Sequence, residues 1–216
     1  MNWTEKFINK YMRLARQIGA DENPCMSRKV GALIVHPVNH ATAIGYNNTP
    51  RKYPHCDSQD YVDYFVDSLT KEEKEICYKR CVDSLYEQPI YTSFTDQNLK
   101  STLLSFLQSN KICPRKLIWG SGERLDLCPA IHAEHNAILN SCFDVRGCSL
   151  FMWGPVPCRD CAKVIIQAGL KDVYCTESYS DKNGVYMLNK MNIPIIILDW
   201  DIDLDCWSEK YTKAEI

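Results

Sequence analysis

A chain of 216 residues, 45% apolar and 24% charged, has the size and composition of one soluble globular domain, or of one domain carrying a large insertion. Its 25 basic and 27 acidic side chains leave a formal charge of −2, which argues against a nucleic-acid binder, whose footprint is a basic excess or a strongly basic face. No apolar run is long enough to span a bilayer, and the amphipathic start MNWTEKFINKYMRLARQIG lacks the apolar core of a secretion signal; a cytoplasmic protein is expected, with its twelve cysteines as buried small side chains or metal ligands rather than disulfides.

Trp3, Phe7, Tyr11, Leu14 and Ile18 recur every three or four residues and predict a first helix with these five on its buried face. VGALIV (30–35) reads as a buried strand and residues 41–46 as a second, joined by the turn HPVNH into a hairpin. The segment at about 51–127 differs in character. Thr70 and Glu73 form a capping box for a helix to about residue 87, with Cys77, Cys81 and Leu85 on one stripe. Leu99, Leu103, Phe106 and Leu107 mark a second short helix, so the segment reads as a helical, loop-rich insertion.

From residue 132 onward strands and helices alternate. Helices are expected over 132–142, 158–167 (ending near Gly169) and 181–191, and strands over 149–153, 173–175 and 193–198. Such alternation predicts an α/β fold, one sheet with helices on both faces.

Two motifs carry chemistry. HAEHNAIL (132–139) gathers two histidines, a glutamate and an asparagine within five residues, and GPVPCRDCAKVIIQAG (154–169) sets Cys158 and Cys161 in C-x-x-C. With a helix starting at Cys158, both thiols share a face and lie at its positive end, which favours thiolate. Two thiolates do not complete a zinc site, and no second C-x-x-C exists. The upstream partner of suitable chemistry is His132, which also opens a helix. One histidine and two cysteines make three ligands and leave a fourth position for water, the pattern of a catalytic zinc. Glu134 is then placed to move a proton from that water. Alone, a C-x-x-C is often a redox pair or two buried thiols, and a His-Ala-Glu is usually a solvated helix start. Their combination, in order, favours the metal centre. A zinc-stabilised binding module without turnover would fill the fourth position and would have no use for Glu134.

H-x-E followed by P-C-x-x-C is the signature of zinc-dependent nucleobase deaminases. Within them the chain resembles the deoxycytidylate (dCMP) deaminase family of the cytidine deaminase superfamily, phage members included. The likeness rests on SRKVGALIV (27–35), GYNNTP (45–50), HAEHNAIL and GPVPCRDCAKVIIQAG, and covers about 25–50 and 128–198. It implies a three-layer α/β/α cytidine-deaminase-like fold: a central mixed five-stranded sheet flanked by helices, in a single deaminase domain over 1–216 with the helical insertion inside it. His132, Cys158 and Cys161 would hold Zn2+, and Glu134 would shuttle protons. Asn47 would contact the sugar hydroxyl and Arg28 the 5′-phosphate, with Ala133 and Tyr179 also in the substrate site. Arg159, between the zinc cysteines, reads equally well as a surface charge, and His135 has no assigned role.

The implied reaction is hydrolytic deamination of dCMP to dUMP and ammonia, supplying dUMP for thymidylate synthesis. Deamination of dCTP, as well or instead, and tRNA adenosine deamination are the alternatives, the latter disfavoured by the charge balance. A riboflavin-pathway deaminase normally carries a reductase domain that is not seen here. The resemblance also implies a second, structural Zn2+ at Cys25, His55, Cys56 and Cys128. It further implies a homo-oligomer, a hexamer, controlled by dCTP and dTTP with Mg2+. Asn48 stands where relatives carry glycine in the loop tied to that control. Neither a nucleic acid nor a membrane is an expected partner. Cys77 and Cys81 are expected in a helix core.

Overall fold

The structure, a computed structural model, describes residues 3–85, 94–120, 122–178, 182–201 and 206–213. Its helices are α1 (Glu5–Gln17), α2 (Gln59–Asp67), α3 (Lys71–Leu85), α4 (Asp96–Asn110), α5 (Ala133–Leu139), α6 (Arg159–Ala168) and α7 (Asn183–Lys190). Its strands are β1 (Gly31–Val35), β2 (Thr42–Tyr46), β3 (Ser149–Trp153), β4 (Asp172–Cys175), β5 (Ile195–Asp201) and β6 (Cys206–Lys213). The chain divides into two compact units, one of 1–24, 28–48 and 131–216, the other of 25–27 and 49–130.

The first unit is built on a mixed sheet in the order β2-β1-β3-β4-β5-β6. β1 runs antiparallel to β2, as the hairpin turn predicts, and antiparallel to β3 on its other side. β3, β4 and β5 run parallel, because α6 and α7 supply the crossovers that parallel neighbours require. All five expected strands form. The sixth, β6, adds an antiparallel edge beside β5, with Trp200 opposite Trp207 and Asp201 opposite Cys206. Its sequence CWSEKYTK is too polar to announce a strand, and pairing with β5 supplies what its own pattern lacks.

Period-two alternation sends the sheet's side chains to two cores. Leu33, Val35, Phe151, Tyr174 and Leu198 meet α1 on one face. Ala32, Ile34, Leu150, Met152, Val173 and Cys175 meet Ala133 and Ala137 of α5, Ala162 and Ile165 of α6, and Val185 and Leu188 of α7 on the other. Helices therefore cover both faces, as expected. The central strands are buried on both sides, which explains their continuous apolar runs.

The face of α1 is the expected one at four of its five positions, Trp3, Phe7, Tyr11 and Ile18, which all pack in this core. Tyr11 is buried, but Leu14 is 38% exposed, and Ile8, Met12 and Ala15 complete the stripe. Trp3 lies before the helix, packs against Phe7 and Tyr11, and donates through its indole Nε1 to Ser149 Oγ at 2.7 Å.

α5 lies against β2 at Gly45. A Cβ there would collide with the Ala133 carbonyl oxygen and the Ala137 backbone nitrogen. Both are main-chain atoms and cannot swing aside. Gly45→Ala is expected to cost about 2 kcal/mol of stability, read as a lower urea midpoint with unchanged slope, and to lower activity by shifting the helix that bears Glu134.

The second unit has its own core, from Tyr61, Phe65 and Val66 of α2, Cys77, Cys81 and Val82 of α3, and Leu99, Leu103 and Phe106 of α4. The capping box forms as expected: Thr70 N donates to Glu73 Oε2 at 2.9 Å, and Glu73 N to Thr70 Oγ1 at 3.2 Å. The expected end of that helix near 87 lies outside the described residues. α2 has no counterpart in the sequence reading, although Ser58 caps it by accepting from Tyr61 N at 3.3 Å. Among the described residues no helix is long and apolar enough to cross a membrane.

Candidate active site

His132 and Cys158 are the residues immediately before α5 and α6, each with extended backbone. Both helices pack on one sheet face, which brings their N-termini together. His132 Nδ1 stands 3.2 Å from Cys161 Sγ and 3.5 Å from Cys158 Sγ. The three donor atoms lie within 4.8 Å of one another, and this is the group able to hold a metal ion found among the described residues. His132 is exposed, Cys158 half-buried and Cys161 buried, so the group opens on one side.

The electrostatics suit a cation. Hydrogen bonding to Cys161, then to His132, holds the Cys158 thiol down at about 4. The same bond to Cys158, together with burial, pushes the Cys161 thiol up. His132 is raised by its bond to Cys158. Two thiols and an imidazole therefore share protons that a divalent ion would displace, and one nitrogen with two sulfurs is a borderline-soft donor set that fits zinc.

Glu134, in the first turn of α5, is 5% exposed and lies beside Cys161, close enough for each to perturb the other's proton affinity. Burial pushes its carboxyl above the usual range. A buried carboxyl is costly unless it has a task or a partner, and here it stands beside the metal donors.

Asn47, 8% exposed, accepts from Ala133 N through Oδ1 at 2.9 Å and donates through Nδ2 to the Arg28 carbonyl at 3.4 Å. Asn136 Nδ2 donates to the Tyr46 carbonyl at 2.8 Å. Asn48 and Ile131 exchange backbone hydrogen bonds of 3.2 and 2.7 Å. The Gly-Tyr-Asn end of β2 is thus laced to the start of α5. Arg28 is exposed. Tyr179 lies outside the described residues. Arg159 is exposed and pairs with Asp160 at 3.5 Å, its ordinary surface reading. His135 Nε2 is buried and has no hydrogen-bond partner among the described residues.

Cys25, His55, Cys56 and Cys128 all fall in the second unit. The Cys56 thiol is pushed up to about 12 by burial and by the nearby Cys113, Cys128 and Cys25. Cys113 was not among the expected ligands. Ser27 N donates to Cys25 Sγ at 3.4 Å. His55 starts the turn into α2, its carbonyl accepting from Ser58 N at 3.0 Å.

The sequence reading also missed Asn23, which is 3% exposed and donates to the carbonyls of Arg28 and Val30. An asparagine before a proline is a turn signal, and nothing local tells where its amide will point.

Comparison with known proteins agrees with this geometry. A family model described as the cytidine and deoxycytidylate deaminase zinc-binding region matches residues 5–177. A probable deoxycytidylate deaminase of Drosophila melanogaster is 30% identical over 228 residues, spanning 100% of this chain and 84% of that protein. The deoxycytidylate deaminase of Enterobacteria phage T2 is 28% identical over 167 residues, 76% of each. The human deoxycytidylate deaminase is 48% identical over 54 residues, a match that covers 24% of this chain and only 30% of the human protein. Among solved structures, the dCMP deaminase of the cyanophage S-TIM5 in complex with dCMP and dUMP shares the fold, at TM-score 0.52 and 20% identity over 90% of this chain and 98% of that one. With a sheet covered on both faces, a histidine and two cysteines at converging helix starts, and a family model matched over most of its length, the chain belongs to the cytidine and deoxycytidylate deaminase zinc-binding family.

Proposed function

We propose that the protein hydrolyses dCMP to dUMP and ammonia. The observation that carries this reading is the buried Glu134 beside a three-donor group with an open side. A binding module would have no need of that carboxylate. Zn2+ held by His132, Cys158 and Cys161 would supply the Lewis acidity that makes water nucleophilic at neutral pH. Glu134 takes a proton from that water and delivers it to N3 of cytosine. The water oxygen adds to C4. Glu134 then carries the second proton to the amino group, which leaves as ammonia, so dCMP and water balance dUMP and ammonia. A carboxyl raised by burial suits a carrier that must both accept and release a proton.

Asn47, fixed at both ends of its carboxamide, would offer its remaining hydrogen-bonding capacity to the sugar hydroxyl. The Arg28 guanidinium would take the 5′-phosphate in a charge-assisted fork. Ala133, whose N–H fixes Asn47, and Tyr179 complete the substrate contacts. The same reading makes the protein a cytoplasmic homo-oligomer, a hexamer, responsive to dCTP and dTTP with Mg2+, and a source of dUMP for thymidylate synthesis. Exposed Ile44 on edge strand β2 and Leu139 at the end of α5 support a subunit contact there.

An ammonia-release assay over dCMP, dCTP, CMP, cytidine and adenosine in tRNA tests the substrate. Fastest turnover of dCMP supports the reading. Preference for dCTP or for tRNA overturns it in favour of that substrate.

We also propose a second, structural zinc in the second unit, with Cys113 beside Cys25, Cys56 and Cys128. The raised Cys56 thiol, which is influenced by Cys113, Cys128 and Cys25, supports it, as does the backbone N–H that donates to Cys25 Sγ; the donor atoms would have to draw together to bind, since among the described residues only His132, Cys158 and Cys161 form a group within 4.8 Å. Purified protein is expected to hold two zinc ions per chain, and Cys113→Ser one, with turnover reduced less than tenfold. A ratio of one in the unaltered protein rejects the second site.

A further inference from the structure

We propose that Asn23 is a positioning residue for the phosphate and sugar end of the site, and so sets the preference for a 5′-phosphorylated substrate. The inference rests on the reading of Arg28 and Asn47 as phosphate and sugar contacts.

Asn23 closes the π-helical turn that follows α1, residues 18–22, with φ −81° and ψ 109°. The extended backbone is what the following Pro24 requires. That conformation leaves the side chain turned into the protein, 3% exposed. Its carboxamide nitrogen donates to the Arg28 carbonyl at 3.2 Å and the Val30 carbonyl at 2.9 Å. Its backbone carbonyl accepts from the Lys29 ammonium. One residue therefore ties down three consecutive positions, 28–30, immediately before β1.

The Arg28 carbonyl is also the acceptor of the Asn47 amide at 3.4 Å. Asn47 in turn accepts from the N–H of Ala133, the first residue of α5. The series runs Asn23 side chain, Arg28 backbone, Asn47 side chain, Ala133 backbone. Arg28 and Asn47 take their positions from the same carbonyl, and Asn23 holds that carbonyl in place. A plain loop staple would need only one such bond and would touch no substrate residue. The metal donors and Glu134 depend instead on α5 and α6 packed against the sheet. Loss of Asn23 therefore separates the two ends of the site: Arg28 and Asn47 lose their reference, and the deaminating end keeps its own.

The zinc-loaded protein, its Asn23→Ala and Asn23→Ser variants, and Arg28→Ala are compared on dCMP and on deoxycytidine, with inorganic phosphate as a competitive inhibitor. For Asn23→Ala, KM for dCMP is expected to rise about tenfold with kcat within about twofold, since two hydrogen bonds that fix the segment are lost. Deoxycytidine, which shares the sugar contact but carries no phosphate, is expected to lose less, about threefold in KM; zinc content stays unchanged, and inhibition by phosphate weakens. Asn23→Ser, which retains a donor, is expected to show the same split at about threefold and serves if the alanine variant does not fold. Equal losses on both substrates, or an unchanged KM for dCMP, overturn the proposal. Failure of both variants to fold assigns Asn23 to stability alone and also overturns it. If Arg28→Ala destroys the phosphate preference and the Asn23 variants do not, the inference fails and the phosphate reading stands. If Arg28→Ala leaves the preference intact, the phosphate reading itself fails.

Discussion

Glu134→Gln is expected to abolish turnover by about a thousandfold, within the range that general acid–base groups contribute, while the protein keeps its full complement of zinc. Glutamine has the shape of glutamate but neither accepts nor releases a proton at neutral pH. Glu134 is buried beside Cys161 and raised by burial, so a neutral amide in its place removes the desolvation cost of a charge without opening a cavity. Stability should therefore hold or rise, and the lost activity cannot be put down to unfolding. Ammonia release, elemental analysis and a melting curve on one preparation decide the matter. Activity within tenfold of the parent would show that another group carries the proton.

Cys161→Ala has the opposite signature: loss of the catalytic zinc and loss of turnover together. Cys161 is fully buried and has His132 and Cys158 as immediate neighbours, at 3.2 Å from the imidazole nitrogen. Without it only one nitrogen and one sulfur remain, too few for a stable zinc site. The metal-to-protein ratio should fall by one, and added zinc should no longer raise the melting temperature, because stabilisation by a ligand requires that the folded state bind it. Stoichiometric zinc with near-full activity in Cys161→Ala would remove Cys161 from the metal site. Taken together, the two variants separate the residue that moves protons from a residue that holds the ion.

Much of this site is local in the sequence. Cys158 and Cys161 lie three apart, so spacing alone puts both on one face; Glu134 lies two from His132, a spacing that does not share a helix face, and only the first turn of α5 lets both reach inward. The strands of the sheet centre announce themselves as short apolar runs because they are buried on both faces. The Thr70–Glu73 box is likewise complete within four residues.

Other features depend on where distant segments come to rest. That Leu14 of α1 stays exposed while Ile8, Met12 and Ala15 are buried is decided by how the helix settles on the sheet. β6 is a strand because β5 offers an edge, not because its residues prefer one. Cys113 lies 57 residues from Cys56 in the chain, yet both fall in the second unit and its charge bears on the Cys56 thiol. Asn23 carries no signal beyond a turn, yet its amide fixes the carbonyl that Asn47 also uses. The sequence by itself determined the candidate metal donors, the candidate proton carrier and the layered α/β plan, because these follow from residue type, a short motif and local periodicity. The tertiary structure alone decided which loops are laced to the helix of Glu134, because a side-chain amide finds its carbonyl only after the sheet has ordered the segments around it.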